Sequence, residues 1–480
     1  MSAPEHDPVP PAWESGTMVI LPSLSFPVAE LIKIKGILHY EERLLCALLL
    51  LERPDVRIVY LTSMPVDPAI VSYYLSFLSN PSEARRRLHL ESVREPSVRP
   101  LTDKLLDRPE ILRAVGSVLP DDGSAAMLPF NVSDREWDLA AALGVTLDGP
   151  RPELVPWGFK SGARRAARRA GVRVPDGEED LRSVEAVTEA LVRLRQRHPE
   201  ATSAVVKLNN GFSGQGNALI TLGVAPEGAL VDRWPTTFCA PEERWSTFAA
   251  KVAEEGAIAE QVVPDLVASP SVQLRIGADG ALRVVSTHDQ ILGGPGGQVY
   301  LGCRFPADPA YRSAIREAAM AVGQVLADEG VVGPFGIDFL VAAGTDGPAV
   351  YLSEINLRMG GTTHPFWMAR LASGGHYDRA TGELLTAAGP RCYLATDNLT
   401  SHALVGRSPA AAMEAVREAG LAFEPSTATG VTLHLLGALC SHGKLGATCI
   451  APTTEAAGAL LARLTELTST GFSPAGSRRA

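Results

Sequence analysis

The sequence predicts an α/β protein with more than one domain, in which a parallel α/β domain precedes a larger mixed domain. At 480 residues, the chain is longer than a single hydrophobic core usually supports. Strand-like and helix-like apolar patterns alternate up to about residue 150, as they do in parallel α/β domains. Farther along, two pairs of apolar runs are each joined by a short glycine-containing segment, which is typical of antiparallel hairpins.

The first domain is expected over residues 17–150. Residues 1–16 are rich in Pro and lack the basic and apolar regions of a signal peptide, so we expect a disordered tail there. Strand patterns lie at residues 18–21, 57–61 and 125–130. A helix is predicted over residues 134–143, where Ser133 is a suitable N-cap.

The second domain is expected over residues 151–400. It begins with a helix that carries two arginine pairs, and we interpret them as a solvated face because the whole chain is acidic. These arginines are Arg164, Arg165, Arg168 and Arg169. Helices are predicted at about residues 183–197 and 311–329, and strands at residues 203–208, 217–222, 257–260, 271–276, 282–286, 335–342 and 349–356. A strand, helix, strand, helix order over residues 401–475 predicts a small C-terminal α/β piece.

Composition indicates a globular protein of the cytoplasm without a nucleic-acid or membrane partner. Hydrophobic residues make up 46% of the chain and charged residues 20%. The net charge of -10 argues against nucleic acid or anionic lipid, because both would need a basic surface. The longest apolar run, residues 44–51, is too short to span a membrane and predicts a buried helix. The six cysteines form no C-x-x-C pair and are expected to be reduced thiols.

Two opposed carboxylates are the strongest functional signal in the sequence. Symmetric antiparallel pairing about Asp346 places Leu340 opposite Leu352 and Asp338 opposite Glu354. Like charges at such positions are destabilising by roughly 0.2–1 kcal/mol, and by more where the site is buried. The pair therefore requires either a cation or a shared proton.

Asn356 lies two residues beyond Glu354 and hence on the same face of the strand. Two carboxylates and an amide oxygen suit Mg²⁺, which completes its coordination with water and phosphate oxygens. Arg358 is suited to a phosphoryl oxygen or to the oxyanion of a tetrahedral intermediate. The alternative is an ordinary sheet edge with an ion pair between Glu354 and Arg358.

A glycine-rich hairpin provides a second signal. Lys207 lies in the apolar strand before the tip at residues 209–216. Glycines can take positive φ and expose N–H groups that close over phosphates. A lysine in an apolar run needs an anionic partner if it is buried. Residues 205–222 are thus predicted to form a phosphate-binding hairpin, although a solvent-exposed Asn-Gly hairpin has the same pattern.

Five segments, in this order, resemble the ATP-grasp superfamily. They are Lys160 on a helix before Gly-Val-Arg-Val-Pro, Val-Val-Lys207 with the hairpin, Ala-Glu260-Gln-Val-Val263, Gly-Ile-Asp338, and Glu354-Ile-Asn356-Leu-Arg358. The resemblance covers about residues 155–400 and implies a two-lobed α+β ATP-grasp domain. It also implies that residues 17–150 are the pre-ATP-grasp domain of such an enzyme.

The resemblance implies a role for each matching residue. Lys160 and Lys207 would bind ATP phosphates under a lid that contains Gly211, Ser213, Gly214, Gln215 and Gly216. The hinge whose backbone reads adenine would contain Glu260, Gln261 and Val263, with Asp265 as a ribose partner where many relatives have Glu. The Mg²⁺ ligands, which would also accept Mn²⁺, would be Asp338, Glu354 and Asn356. Arg358 would steady the acyl phosphate.

Two longer segments, from Glu354 to Phe366 and from His288 to Gly302, most resemble the peptide-ligase family of pheganomycin biosynthesis. That family joins a guanidino amino acid to the N-terminus of a peptide, in antibiotic biosynthesis. The implied reaction is ATP-dependent amide formation through an acyl phosphate, with a small-molecule carboxylate and an amine or peptide as partners. Alternatives are a ligase for two free amino acids or another acid and amine, and a nucleotide-binding regulator without turnover.

Three further polar residues are candidates for the site. His288 and Asp289 either bind substrate or are polar residues at a strand end. Arg304 follows a glycine-rich stretch and is a candidate clamp for a phosphate or a substrate carboxylate. The general base and the oligomeric state, including a homodimer, are left open by the sequence.

Overall fold

The computed structural model describes residues 15–211, 216–223, 228–293, 299–344 and 347–472. The chain divides into two compact units. Unit 1 contains residues 1–152, 332–334 and 358–480, and unit 2 contains residues 153–331 and 335–357. The predicted tail at residues 1–16 lies almost wholly outside the described residues.

The N-terminal part of unit 1 has the predicted parallel sheet. Its strands are Thr17–Leu21 (β1), Arg57–Thr62 (β2), Leu88–Ser92 (β3), Ala126–Pro129 (β4) and Thr146–Leu147 (β5), in the order β3-β2-β1-β4-β5. Its helices are Val28–Leu31 (α1), Pro68–Leu75 (α2), Pro81–Arg86 (α3), Leu101–Leu106 (α4), Pro109–Gly116 (α5) and Asp134–Leu143 (α6). Ser133 caps α6 as predicted, because its side chain accepts a hydrogen bond from the N–H of Arg135 while Glu136 accepts one from the N–H of Ser133. The predicted buried helix lies within the 3-10 helix Ile37–Glu52.

Unit 2 has two lobes, each built on its own antiparallel sheet. The first lobe contains Gly177–Leu181 (β6), Ser203–Leu208 (β7), Asn217–Thr221 (β8), Thr236–Phe238 (β9) and Ala257–Gln261 (β10), in the order β6-β10-β7-β8-β9. Helix Lys160–Arg169 (α7), which follows the 3-10 helix Pro152–Gly158, packs its buried alanines into the core of the second lobe. The helices of the first lobe are Val184–Arg197 (α8) and Trp245–Glu255 (α9), with the 3-10 helix Val231–Arg233. Buried aliphatic and aromatic side chains from the strands, α8 and α9 form its core.

The second lobe carries the predicted acid pair. Its strands are Leu266–Ala268 (β11), Pro270–Ile276 (β12), Leu282–Gly293 (β13), Val299–Phe305 (β14), Gly333–Ala342 (β15) and Ala349–Asn356 (β16). The sheet order is β16-β15-β12-β13-β14, and β11 also pairs with β15. Helix Pro309–Asp328 (α10) packs on β12 and β13 and supplies much of the core.

The C-terminal part of the chain belongs to unit 1. It contains Thr363–Ser373 (α11), His376–Asp378 (β17), Glu383–Thr386 (β18), Gly389–Thr400 (β19), the 3-10 helix His402–Leu404, Pro409–Glu418 (α12), Gly430–His434 (β20), Ala438–His442 (α13), Lys444–Ala451 (β21) and Thr454–Ser469 (α14). Its antiparallel sheet has the order β17-β18-β19-β21-β20. Residues 358–400 group with unit 1, whereas we expected them in the second domain. We expected a strand to begin at residue 401. Instead, β19 ends at Thr400, and His402–Leu404 form a 3-10 helix.

All six cysteines are described as free thiols, and only Cys440 is exposed. Among the described residues, no helix combines the length and the apolar character needed to cross a bilayer.

Candidate active site

The acid pair is formed where β15 and β16 lie side by side. Asp338 pairs with Glu354, as the sequence predicted, but Leu340 pairs with Tyr351 and not with Leu352. An irregularity between Asp338 and Phe339 shifts the register by one residue. The predicted pairing, symmetric about Asp346, was therefore wrong for the residues near the turn. The irregularity is a β-bulge, in which β16 has one extra residue, and beyond it the carboxylates pair as predicted.

Asn356 lies beside both carboxylates. Its side-chain nitrogen donates hydrogen bonds of 3.2 Å to Asp338 Oδ2 and of 3.2 Å to Glu354 Oε1. Lys160, the first residue of α7, is 6% exposed, and its ammonium forms an ion pair with Glu354. The alternative from the sequence was an ion pair between Glu354 and Arg358. In the structure, the cation paired with Glu354 is Lys160.

The two carboxyl groups differ in their pKa. Burial raises the pKa of Asp338 to about 7, and the charge of Glu354 adds to this effect. Burial acts on Glu354 in the same direction, but the charge and hydrogen bond of Lys160 outweigh it and lower the pKa of Glu354 to about 2. Glu354 is therefore the carboxyl group that remains ionised near pH 7, and Asp338 is the one that binds a proton more readily.

The base of the predicted phosphate hairpin lies next to Lys160. The ammonium of Lys160 donates to the carbonyl oxygen of Gly211 at 3.4 Å. Gly211 and Gly216 approach so closely that a Cβ on either would lie 3.0 Å from the Cα of the other. Asn209, which the sequence did not single out individually, ties the hairpin to α7 because its Oδ1 accepts hydrogen bonds from the N–H and hydroxyl of Ser161. No sequence signal distinguished this asparagine from the other polar residues of the tip.

The predicted lid residues Ser213, Gly214 and Gln215 lie outside the described residues. The same is true of Asp346 in the turn between β15 and β16. The phosphate contacts proposed for Ser213, Gly214 and Gln215 remain predictions.

Lys207 has the anionic partner that its burial requires, and the partner is a carboxylate of the chain itself. Its ammonium lies 2.6 Å from Glu260 Oε1, and these residues are 6% and 1% exposed. Arg164 lies 2.9 Å from Glu260 Oε2 and 3.0 Å from Glu179 Oε2. Lys207 and Arg164 thus share the buried carboxylate of Glu260, and Glu179 also pairs with the exposed Arg168.

The interpretation of Arg164 as part of a solvated face was wrong. Arg164 is 1% exposed, and it also donates to the carbonyl oxygen of Pro175 at 2.9 Å. The side chains of Arg165, Arg168 and Arg169 are 46%, 49% and 49% exposed, as expected for solvated residues. The net charge of the whole chain could not distinguish the buried arginine from the three exposed ones, because it does not indicate which side of α7 is buried.

The predicted hinge follows β10. Glu260 is paired with β6 and β7 on either side of β10. Gln261, the last residue of the strand, is paired with β7 and donates its N–H to the carbonyl oxygen of Asp176. Val263 is 8% exposed, and its backbone makes no hydrogen bond within the described part of the chain. Asp265 is exposed, has φ of 51°, and accepts a hydrogen bond from the N–H of Ala343 through its carbonyl oxygen.

Arg304 and Asp289 face each other across β13 and β14. Asp289 accepts hydrogen bonds from Arg304, from the N–H of Asp308 at 3.1 Å and from the hydroxyl of Tyr311 at 2.7 Å. The Asp289 carboxylate therefore serves to hold Arg304. His288 is 0% exposed, and burial lowers its pKa to about 3, so the imidazole is neutral near pH 7.

Arg358 is the first residue of the segment that returns to unit 1. Its guanidinium donates to the carbonyl oxygen of Met359 at 3.2 Å and lies 5.6 Å from the centre of the Phe26 ring. These contacts orient Arg358 within unit 1.

Two family models and a named relative match this chain. Residues 237–379 match the family model described as IQCH-like, ATP-grasp, and residues 411–464 match the model described as PGM1 C-terminal domain. The L-propargylglycine–L-glutamate ligase of Streptantibioticus cattleyicolor is 34% identical over 452 residues, which cover 92% of this chain and 92% of the ligase.

Solved structures share the fold at low sequence identity. Biotin carboxylase from Campylobacter jejuni, in complex with an ATP analogue, has a TM-score of 0.56 at 14% identity and covers 93% of this chain and 90% of its own. The biotin carboxylase domain of Hydrogenobacter thermophilus 2-oxoglutarate carboxylase, in complex with MgADP, has a TM-score of 0.55 at 13% identity. That match covers 94% of this chain and 90% of the other.

Proposed function

The chain belongs to the ATP-grasp family of ligases, and we propose that it joins the carboxylate of one amino acid to the amine of another through an acyl phosphate. The observation that carries this proposal is the pair of Asp338 and Glu354 beside Asn356 and the buried ammonium of Lys160. The choice of amino acids as substrates is supported by the relative that is 34% identical over nearly the whole chain, whose name gives L-propargylglycine and L-glutamate.

We propose that Asp338, Glu354 and Asn356 hold Mg²⁺. The donor set is suitable, because hard divalent cations prefer carboxylate and amide oxygens, and Mn²⁺ accepts the same ligands. The raised pKa of Asp338 supports the assignment, since a bound cation would offset the charge of Glu354 that contributes to it. For Asn356 to coordinate, its amide must turn so that the oxygen replaces the nitrogen that now faces the carboxylates. Bound there, Mg²⁺ would neutralise charge on the transferring phosphoryl group.

Lys160 is proposed to exchange its ion pair for a phosphate oxygen. Its ammonium lies between Glu354 and the carbonyl oxygen of Gly211 at the hairpin base, which links the acid pair to the lid. Lys207 is held by Glu260 and is proposed to contact phosphate with its remaining N–H donors. Both lysines act by position and charge, which account for most of the catalysis of phosphoryl transfer.

The segment after Gln261 is proposed to read adenine. The backbone groups of Glu260 and Gln261 lie within the sheet, whereas that of Val263 makes no hydrogen bond with the described chain and is therefore available to a base. Asp265, which is exposed, remains the proposed ribose partner.

Two arginines are proposed to stabilise charge on the substrate. Arg304 is fixed by Asp289 on one edge of its guanidinium and can donate from the other to a phosphate or a carboxylate. Arg358 is proposed to steady the acyl phosphate and the tetrahedral intermediate. His288 and Asp289 remain candidates for the substrate site, although the burial of His288 and the occupied carboxylate of Asp289 favour a supporting role.

A peptide acceptor is the second candidate. It is favoured by the signature from Glu354 to Phe366, which resembles the peptide ligases of pheganomycin biosynthesis. Both candidates use the same activation of a carboxylate, and they differ in the amine that attacks it.

The test is ADP release with L-glutamate as the acid and a panel of amino acids and short peptides as amines. We expect release with free amino acids, and a loss of at least about 100-fold in kcat for Glu354→Ala. The matched control is Glu189→Ala on α8, where the side chain is 70% exposed. Near-native turnover in Glu354→Ala would show that the metal assignment is wrong, and ADP release only with peptides would favour the second candidate.

A further inference from the structure

The two faces of the sheet in the second lobe differ in chemistry. One face is apolar and shares a core with α10, and its residues on β12 and β15 include Val272, Leu274, Ile337 and Phe339. Asp338 on β15 and the two residues Ser271 and Gln273 on β12 alternate with these core residues. Because successive side chains of a strand point to opposite faces, all three lie on the face that carries the acid pair.

Asp338 is hydrogen-bonded to polar side chains from both neighbouring strands on this side of the sheet. Ser271, which is 1% exposed, and Gln290 on β13 each bond to its carboxyl group. These contacts add to the hydrogen bond of 3.2 Å from Asn356. Donors of this kind stabilise the ionised carboxylate, which is the form that binds a divalent cation.

Gln273 sets the direction of the hydrogen bond from Ser271. Its side-chain nitrogen donates to Ser271 Oγ at 2.8 Å. Since Ser271 accepts from Gln273, its single hydroxyl proton is available to Asp338. Gln273 lies over Gly336, where a Cβ would come within 2.9 Å of the amide nitrogen, and Gly336 is paired with Asn356. Glycine at this position therefore leaves room for an amide next to the acid pair.

The two carboxylates of the acid pair are held in different ways. Glu354 is paired with the ammonium of Lys160, which opposes its charge. The donors that the structure describes for Asp338 are hydroxyl and amide groups, which are neutral. Neutral donors fix the direction of a carboxylate without cancelling its charge. Asp338 therefore keeps its charge, once ionised, for a cation at the pair.

We propose that Ser271 and Gln290 are positioning residues for Asp338 as a ligand of Mg²⁺, and that Gln273 acts through Ser271. The proposal rests on the proposed function, because it concerns the cation assigned there to the acid pair. Hydrogen-bonding partners of metal ligands fix the direction of the ligand atoms, and removal of one typically lowers metal affinity by about 10- to 100-fold. Strands β12 and β13 thus contribute to the cation site, although neither provides a ligand.

Mn²⁺ binding tests the proposal without turnover. The full-length protein is titrated with Mn²⁺ in the presence of ADP, and electron paramagnetic resonance measures the bound ion against a protein-free blank. We expect the dissociation constant to rise by about tenfold or more in Ser271→Ala and in Gln290→Met. The matched controls Ser313→Ala and Gln324→Met, at exposed positions of α10, should bind Mn²⁺ as the native protein does. An unchanged dissociation constant in Ser271→Ala or in Gln290→Met would overturn the role of that residue.

Thermal unfolding without divalent ions separates cation binding from folding. Each substitution removes a hydrogen bond to a single carboxyl group, so we expect the unfolding temperature to fall by about 4 °C or less. A loss of Mn²⁺ affinity only in variants that are already unfolded at the assay temperature would overturn the positioning role.

A pair of substitutions tests the role of Gln273. Gln273→Met should weaken Mn²⁺ binding in the native background and have no further effect in Ser271→Ala, because its contact with Asp338 runs through the serine hydroxyl. Equal losses in the two backgrounds would show that Gln273 acts independently of Ser271 and would overturn this part of the proposal.

The two proposals can fail separately. If native protein and Glu354→Ala bind Mn²⁺ equally, the proposed metal site is wrong, and the positioning role falls with it. If Glu354→Ala loses affinity while Ser271→Ala and Gln290→Met keep it, the metal site stands and the positioning role alone is overturned.

Discussion

The buried charged side chains of unit 2 that surround Glu260 form ion pairs with one another. Lys207 and Arg164 share the carboxylate of Glu260, and Arg164 also reaches Glu179. The sequence predicted that Lys207 needs an anion, but it could not identify Glu260 as the partner. That pairing depends on the register of β7 with β10, in which Val205 lies opposite Glu260.

Breaking this network should destabilise the fold. Arg164→Met leaves the second oxygen of Glu260 buried without its partner, and we expect the free energy of unfolding to fall by about 3 kcal/mol or more. Arg165→Met on the same helix removes an ion pair between exposed side chains, and we expect a change below about 1 kcal/mol. Urea unfolding of both variants measures the difference. Equal losses would contradict the assignment of Arg164 to a buried network.

A second buried carboxyl group should make stability depend on pH. Glu41 is 7% exposed and accepts hydrogen bonds of 2.6 Å from the N–H and the hydroxyl of Ser63. Burial raises its pKa from 4.5 to about 7, so the folded state favours the protonated form. The contribution of Glu41 to stability is therefore complete below about pH 4.5 and is lost as the pH rises through 7.

Glu41→Gln mimics the protonated form and should remove this dependence. Between about pH 5 and pH 8.5, we expect native protein to lose up to roughly 3 kcal/mol relative to the variant. Thermal unfolding of both proteins across this range measures the loss. Parallel curves for the two proteins would show that Glu41 does not titrate as described.

At the scale of single elements, the pairing of β15 with β16 was predicted from the sequence only in part. The alternation of apolar residues and the expected turn placed Asp338 opposite Glu354 correctly. Near the turn, however, the observed pairing is centred half a residue before Asp346, with Ala342 opposite Ala349. The bulge in β16 adds one residue to that strand, and this brings Asp338 opposite Glu354. A bulge has no signature in this apolar run, because it arises from how the two strands twist against their neighbours.

The hairpin of β7 and β8 should tolerate no side chain at its base. A Cβ at Gly216 would lie 3.0 Å from the Cα of Gly211 and 3.2 Å from the Cβ of Leu208, so Gly216→Ala must displace the strand ends that carry the lid. We expect the KM for ATP to rise by about tenfold, with a smaller change in unfolding temperature. Gly223→Ala, where a Cβ meets nothing within 4 Å, is the control. An unaltered KM in Gly216→Ala would argue against a lid at this position.

At the scale of the whole chain, the sequence predicted the order of the parts better than their grouping. The parallel domain, the two-lobed domain and the C-terminal piece all follow in the expected order. Residues 358–400 nevertheless group with unit 1, because the strand β19 pairs with β21 far along the chain. Pairing between segments that are distant in the sequence depends on how they pack in three dimensions, and a local sequence pattern does not predict it.

The central claim is that a carboxylate is activated as an acyl phosphate at the acid pair of unit 2. The most direct measurement follows the oxygen atoms. The amino acids that support ADP release, both labelled with ¹⁸O in their carboxylates, are incubated with the protein, ATP and Mg²⁺, and the phosphate is analysed by mass spectrometry. The account predicts one ¹⁸O atom per phosphate, released with ADP and lost in Glu354→Ala. Unlabelled phosphate, or release of AMP, would contradict it.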